Sequence, residues 1–77
     1  MITKNSQGII VGDLVAFDNR DDASWYKVTR IDGRDNDLLC LQPVRGGIQH
    51  SSRTGYLIKQ HKRLNQNGYY ENITYPW

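Results

Sequence analysis

Trp25-Tyr26-Lys27-Val28-Thr29-Arg30-Ile31, followed by Asp32-Gly33-Arg34-Asp35-Asn36-Asp37 and then Leu38-Leu39-Cys40-Leu41-Gln42-Pro43-Val44, is the stretch that decides the fold. Two short runs rich in aliphatic, β-branched and aromatic residues flank six turn formers. That pattern predicts two antiparallel strands joined as a hairpin, with Asp32-Gly33 as the two-residue turn signal. The alternation of the first run is imperfect. Tyr26 and Val28 share one parity and Trp25 and Ile31 the other, which predicts a bulge or sharp bend near Thr29-Arg30, of the kind small barrels use at corners. Pro43 cannot donate a ladder hydrogen bond, so it belongs at an edge or at the strand's end. Cys40, inside an apolar strand, reads as a small buried hydrophobe.

Upstream of this hairpin, Ile9-Ile10-Val11 leads into the turn pair Gly12-Asp13. Leu14-Val15-Ala16-Phe17 then reads as a strand with Val15 and Phe17 on its inner face. Residues 18–24 form a polar loop. Downstream, Gly46-Gly47 breaks the pattern, residues 48–53 are a short polar strand or a loop, and Tyr56-Leu57-Ile58 reads as another strand. Residues 59–64 are too few for an independent helix and predict a single helical turn, with Leu64 directed back into the core. Asn65-Gln66-Asn67-Gly68 ends the compact part or turns the chain sharply. Nowhere do apolar residues recur at helical spacing over a long window, so the expectation is a mostly β domain of about five strands.

Size and composition narrow the function classes. A chain of 77 residues makes one domain burying only ~60% of the surface its unfolded form exposes. Little stability is then left for a strained catalytic site. Cys40 is the only cysteine, which excludes an internal disulfide and a thiolate zinc cluster and points to a reducing, cytoplasmic setting. No apolar run approaches the ~20 residues that span a bilayer, and residues 1–6 lack an apolar signal core, so no membrane association is expected. The net charge of +2 is unevenly spread. Up to Val44 five basic residues face seven acidic ones; from Arg45 onward five basic residues face Glu71 alone. Such asymmetry favours an anionic partner.

Gly12-Asp13-Leu14-Val15, Ser24-Trp25-Tyr26-Lys27-Val28 and Ile31-Asp32-Gly33, with a closing turn over residues 58–64, resemble an SH3-like small barrel of the Tudor, Agenet and KOW type. The resemblance covers residues 8–65. It implies an arm over residues 1–7, a barrel over 8–65 and an aromatic tail over 66–77, either packed on the barrel or used for interaction. It leaves the ligand class open, because such cages use three or four aromatic residues converging from two loops and only Trp25, Tyr26 and Tyr56 lie in position here. The glycine that KOW modules carry before the second strand is replaced by Asp22-Ala23-Ser24-Trp25.

No catalytic constellation is expected. His50 and His61 are the only histidines, and a serine next to His50 in sequence does not face it in a strand or loop. Two histidines and one distant cysteine do not make a tetrahedral metal site, and Asp35-Asn36-Asp37 lacks the closing glutamate of a calcium loop. No cofactor is implied. The basic late segment has more substance: Arg45, Arg53, Lys59, Lys62 and Arg63, with Tyr56 for stacking, form the candidate face for DNA or RNA. With about three phosphates neutralised, duplex binding would follow a log–log salt slope of about −2.7. The alternative is a protein-interaction adaptor or inhibitor that meets an acidic or peptide-like surface through Trp25, Tyr69, Tyr70, Tyr75 and Trp77. The tail can also fold back as an added strand on an open sheet edge.

Overall fold

The computed structural model describes residues 4–5, 7–35 and 37–73. Six strands form in chain order: β1 (Leu14–Ala16), β2 (Tyr26–Ile31), β3 (Leu38–Pro43), β4 (His50–Arg53), β5 (Gln60–Leu64) and β6 (Tyr70–Asn72). A 3-10 turn at Gly55–Leu57 lies between β4 and β5. All pairings are antiparallel, and the strands build one sheet in the order β4-β3-β2-β1-β5-β6. The chain is therefore mostly β, as its sequence implies. The closed barrel expected from it is not made by backbone pairing: the sheet is open, with β4 at one edge and β6 at the other.

The β2–β3 hairpin shows why the sheet has one dry face. Val28 pairs with Leu41, but the next pair is Arg30 with Cys40, so the register slips at Thr29. This is the irregularity that the broken alternation predicts. Inserting one residue resets the parity, and Val28 and Ile31, three positions apart, both turn inward and are buried. The loop that closes the hairpin differs from expectation. Positive φ occurs at Gly8, Gly12, Gly46, Gly47 and Gly68 but not at Gly33, so Asp32-Gly33 is not the primed turn whose central residues both need φ above zero. Asp32 instead accepts hydrogen bonds on Oδ1 from the N–H groups of Arg34 and Asp35, at 2.8 and 3.0 Å. Its own N–H donates to the carbonyl of Leu38. A longer loop held by an aspartate side chain replaces the tight turn.

The inner face gathers Val15, Val28, Ile31, Leu39 and Leu41 from the sheet and Ile9 and Ile58 from the segments that cross it, with Phe17 and Tyr26 packed at the margin. Full burial of each such aliphatic side chain contributes about 1.5 to 3 kcal/mol. Cys40 falls between Leu39 and Leu41 and takes the opposite, outer face. There it is half-buried beside Ser51 rather than in the core. Upstream of β1, Lys4 bridges to Ile10, and the buried Asn5 accepts on Oδ1 from the N–H groups of Gln7 and Ile9.

Two expectations for the late segment are exchanged. The strand expected at residues 56–58 is the 3-10 turn, and the helical turn expected at residues 59–64 is strand β5. The reason is chemical. β5 alternates with period two, but the side chains it turns inward are His61 and Arg63, so hydropathy hides the alternation. Leu64 faces outward and is half-exposed instead of entering the core. Tyr70–Asn72, in the segment expected as a tail, pairs with β5 as β6. Among the described residues no helix is long and apolar enough to cross a membrane.

Candidate functional site

Asp13 ends the Gly12-Asp13 turn with its side chain fully buried behind β1. Gly12, at φ +101°, lets the chain turn there while its N–H donates to the carbonyl of Val28 at 2.7 Å. The carboxylate accepts the N–H of Ile10 at 3.0 Å and a two-pronged contact from Arg63, Nε to Oδ1 at 3.1 Å and Nη2 to Oδ2 at 3.0 Å. It is also hydrogen-bonded to His61 Nε2. Burial pushes the carboxyl pKa up, but the hydrogen bonds from His61, Arg63 and the Ile10 N–H, with the nearby His61 charge, outweigh it and hold Asp13 below its ordinary 3.8. A carboxylate so held can only accept, which assigns the shared proton to His61 Nε2. Arg63 also donates to the carbonyl of Gly8 at 2.6 Å. The cluster ties β1, β5 and the N-terminal segment together, and His61 and Asp13 lie too deep to meet a substrate.

The outer face has a different chemistry. Leu14 stands opposite Lys27 on β2 and Lys62 on β5; Lys27 in turn faces Gln42, and Lys62 faces Asn72. One transverse row thus crosses five strands, and its two lysines are separated by two strand spacings, about 9.5 Å. Extending the β1–β2 register by one step sets Trp25 across from Ala16, which is fully buried although it lies on the outer side. Lys62 Nζ lies 4.5 Å from the centroid of the Trp25 ring, within cation–π range. Trp25 and Arg45 share a shallow cleft of about 200 Å³ with Ser24, Tyr26, Pro43 and Gly46. On the opposite side of the row, Val11, Gly12, Lys27, Leu64 and Tyr70 are among the residues lining a second hollow of about 210 Å³.

The residues named from sequence are dispersed by this sheet. Arg45 and Lys62 come together around Trp25. Lys59 is exposed just before β5, with its N–H donating to the carbonyl of Ala16. Arg53 lies on β4, with three strands between it and β5, and is ion-paired to Asp35 at 2.7 Å. Arg63 points opposite to Lys62 and is engaged by Asp13. Tyr56 lies on the 3-10 turn. Of the aromatic set, Trp25 is half-buried and Tyr69 and Tyr70 are exposed, whereas Tyr75 and Trp77 lie outside the described residues.

Lys27 belongs to the outer row but was not among the residues singled out from sequence. Its signal was present, because it sits between Tyr26 and Val28 in the strongest strand and must face away from both. Asp13 and His61 had no comparable signal: a carboxylate in a turn and a histidine in a polar run are ordinary surface residues by pattern. Among the described residues no group of three or more His, Cys, Asp or Glu is arranged to hold a metal ion. Comparison with protein-family models, with curated proteins and with solved structures finds no match to this chain.

Proposed function

We propose that this protein is a small non-catalytic binding module that takes up single-stranded DNA or RNA across the outer face of its sheet. One observation carries the reading: Lys62 sits on the face of Trp25, inside a row that includes Lys27, with Arg45 in the adjoining cleft. Single strands are held by cations that track the phosphates and by aromatic rings on which bases stack. Lys27, Lys62 and Arg45 supply the first; Trp25 and the exposed Tyr70 supply the second. Arg53 and Arg63, engaged by carboxylates, contribute less than their charge suggests.

The same reading takes the sheet as an SH3-like small barrel left unclosed. Its support is the meander from β1 to β4, the slipped register at Thr29, and the 3-10 turn that returns the chain to pair β5 with β1. A reducing, cytoplasmic setting suits the lone cysteine. A protein partner is the second reading, favoured by the exposure of Val11, Leu64 and Tyr70 around one hollow formed by β5, β6 and the turn before β1.

The test is retention of a short single-stranded oligonucleotide against salt. Three phosphates contacted on a single strand give a log–log slope of about −2.1. Changing Lys27 and Lys62 together to Glu should abolish retention at low salt while leaving the fold intact, since both side chains lie on the outer face. Retention unchanged in that variant would overturn the reading.

A further inference from the structure

On the inner face, where β2 and β4 begin, the core is unfinished. Phe17, Tyr26, Leu41, His50, Ser52 and Thr54 line a cavity of about 210 Å³. Register explains their convergence: His50 stands opposite Leu41, Ser52 opposite Leu39 and Tyr26 opposite Val15, so all share the side of the sheet that carries the core. The rings do not stack on one another. Phe17 and Tyr26 are inclined by 52° with centroids 5.7 Å apart, and His50 meets Tyr26 nearly edge-on, at 76° and 6.4 Å. Phe17 and Tyr26 are only half-buried and His50 is exposed.

The size and chemistry of this notch select its occupant. Sites for drug-sized ligands run to about 300–1,000 Å³, so this one holds a single ring-sized group. A flat ring entering it stacks on one aromatic wall and meets another edge-on, both favourable arrangements. The lining includes no carboxylate among the described residues, so no cation is neutralised there. Its polar groups are hydroxyls and an imidazole, which donate or accept as required. Tyr26 also lines the cleft shared by Trp25 and Arg45, so a strand lying along that cleft reaches the cavity by passing round one side chain.

The geometry points to a receptor for one unstacked nucleobase, bounded by Phe17, Tyr26 and His50, while the adjoining phosphates remain outside near Arg45. This rests on the single-strand reading above and adds to it a base-dependent part of the affinity.

The experiment compares an intact oligonucleotide with an abasic one of the same length, on wild type, Ser52→Phe, His50→Ala and Lys62→Glu, with thermal unfolding followed for each. Wild type should bind the intact strand about tenfold tighter than the abasic one. Ser52→Phe fills the cavity and His50→Ala removes a wall; each should pull the intact strand toward the abasic affinity and leave the abasic strand unaffected. If both variants bind the intact strand as wild type does, while Lys62→Glu weakens both strands, the receptor is overturned and the outer-face reading stands. If wild type binds neither strand, the outer-face reading fails and free nucleosides decide the receptor. Adenosine or uridine should shift the Tyr26 and His50 ring resonances. No shift, or shifts with N-acetyl-tyrosinamide alone, overturns the receptor, the latter in favour of a peptide side chain.

Discussion

Arg63 grips Asp13 with two guanidinium nitrogens, Nε 3.1 Å from Oδ1 and Nη2 3.0 Å from Oδ2, across the join between β5 and the turn that opens β1. Asp13 is buried and is also bonded to the buried His61, so its carboxylate is the centre on which both side chains converge. Replacing Asp13 by Asn keeps the shape and removes the charge. Breaking a buried pair from one side costs about 3 to 5 kcal/mol, against a total near 4 to 12 kcal/mol for a domain of this size. Asp13→Asn should therefore lose a quarter or more of the domain's stability. Arg63→Gln, which leaves Asp13 its bonds to His61 and the Ile10 N–H, should lose about 1 to 3 kcal/mol. Urea midpoints measure both, and an Asp13→Asn midpoint equal to that of wild type would contradict the account.

The same carboxylate sets how stability responds to acid. Asp13 is held below 3.8 in the folded chain, so the unfolded chain binds its proton first as pH falls. The stabilisation is complete above the unfolded pKa and is lost as pH drops through the lower, folded value. Asp18 and Asp32 are lowered in the same direction, chiefly by the backbone N–H groups of Arg20 and Arg34, but both lie nearer solvent than Asp13 and contribute less. Folding free energy measured against pH should fall below about pH 4 in wild type, and the fall should be shallower in Arg63→Gln. Parallel curves for the two proteins would exclude Asp13 as the source.

Leu64 tests where hydropathy misleads. By pattern it belongs in the core; in the sheet it is half-exposed on the outer face, paired across from Tyr70. Leu64→Lys should change stability by no more than about 0.5 kcal/mol, as exposed positions do. Leu39→Ala, at a fully buried position, should cost about 2 to 5 kcal/mol. Denaturant titration of the pair separates the two environments, and a large loss in Leu64→Lys would place that side chain inside after all.

The parts of this fold that sequence discloses are those where apolar residues do the burying. Val15, Val28, Leu39 and Leu41 announce their strands through period-two patterning, and Thr29 announces the slip by breaking it. β5 stays hidden because its inward positions are His61 and Arg63, whose burial is licensed by a carboxylate 48 and 50 residues away. No local rule links them. The candidate interface was half legible for a related reason. Charge counts find Arg45 and Lys62, but only strand order shows that Arg53 is remote, that Arg63 is turned inward, and that Lys27, from the more acidic half of the chain, completes the row.

Thr29 offers the sharpest test of how sequence position becomes sheet geometry. Its hydroxyl donates to the carbonyl of Cys40 at 3.1 Å, on the outer side of the slip between Val28 and Arg30. Deleting it restores an unbroken two-residue period from Tyr26 to Ile31. Val28 and Ile31 would then lie two positions apart and share the inner face of a regular ladder, opposite Leu41 and Leu39 as before. Both buried side chains keep their places, and the deletion gives up little beyond the Thr29 hydrogen bond, about 0.5 to 1.5 kcal/mol. Thr29→Ala keeps the bulge and gives up the same hydrogen bond. The deletion should therefore be about as stable as the substitution in thermal unfolding. A deletion markedly less stable than Thr29→Ala would mean that the bulge itself, and not only the inward pairing of Val28 and Ile31, holds the sheet together.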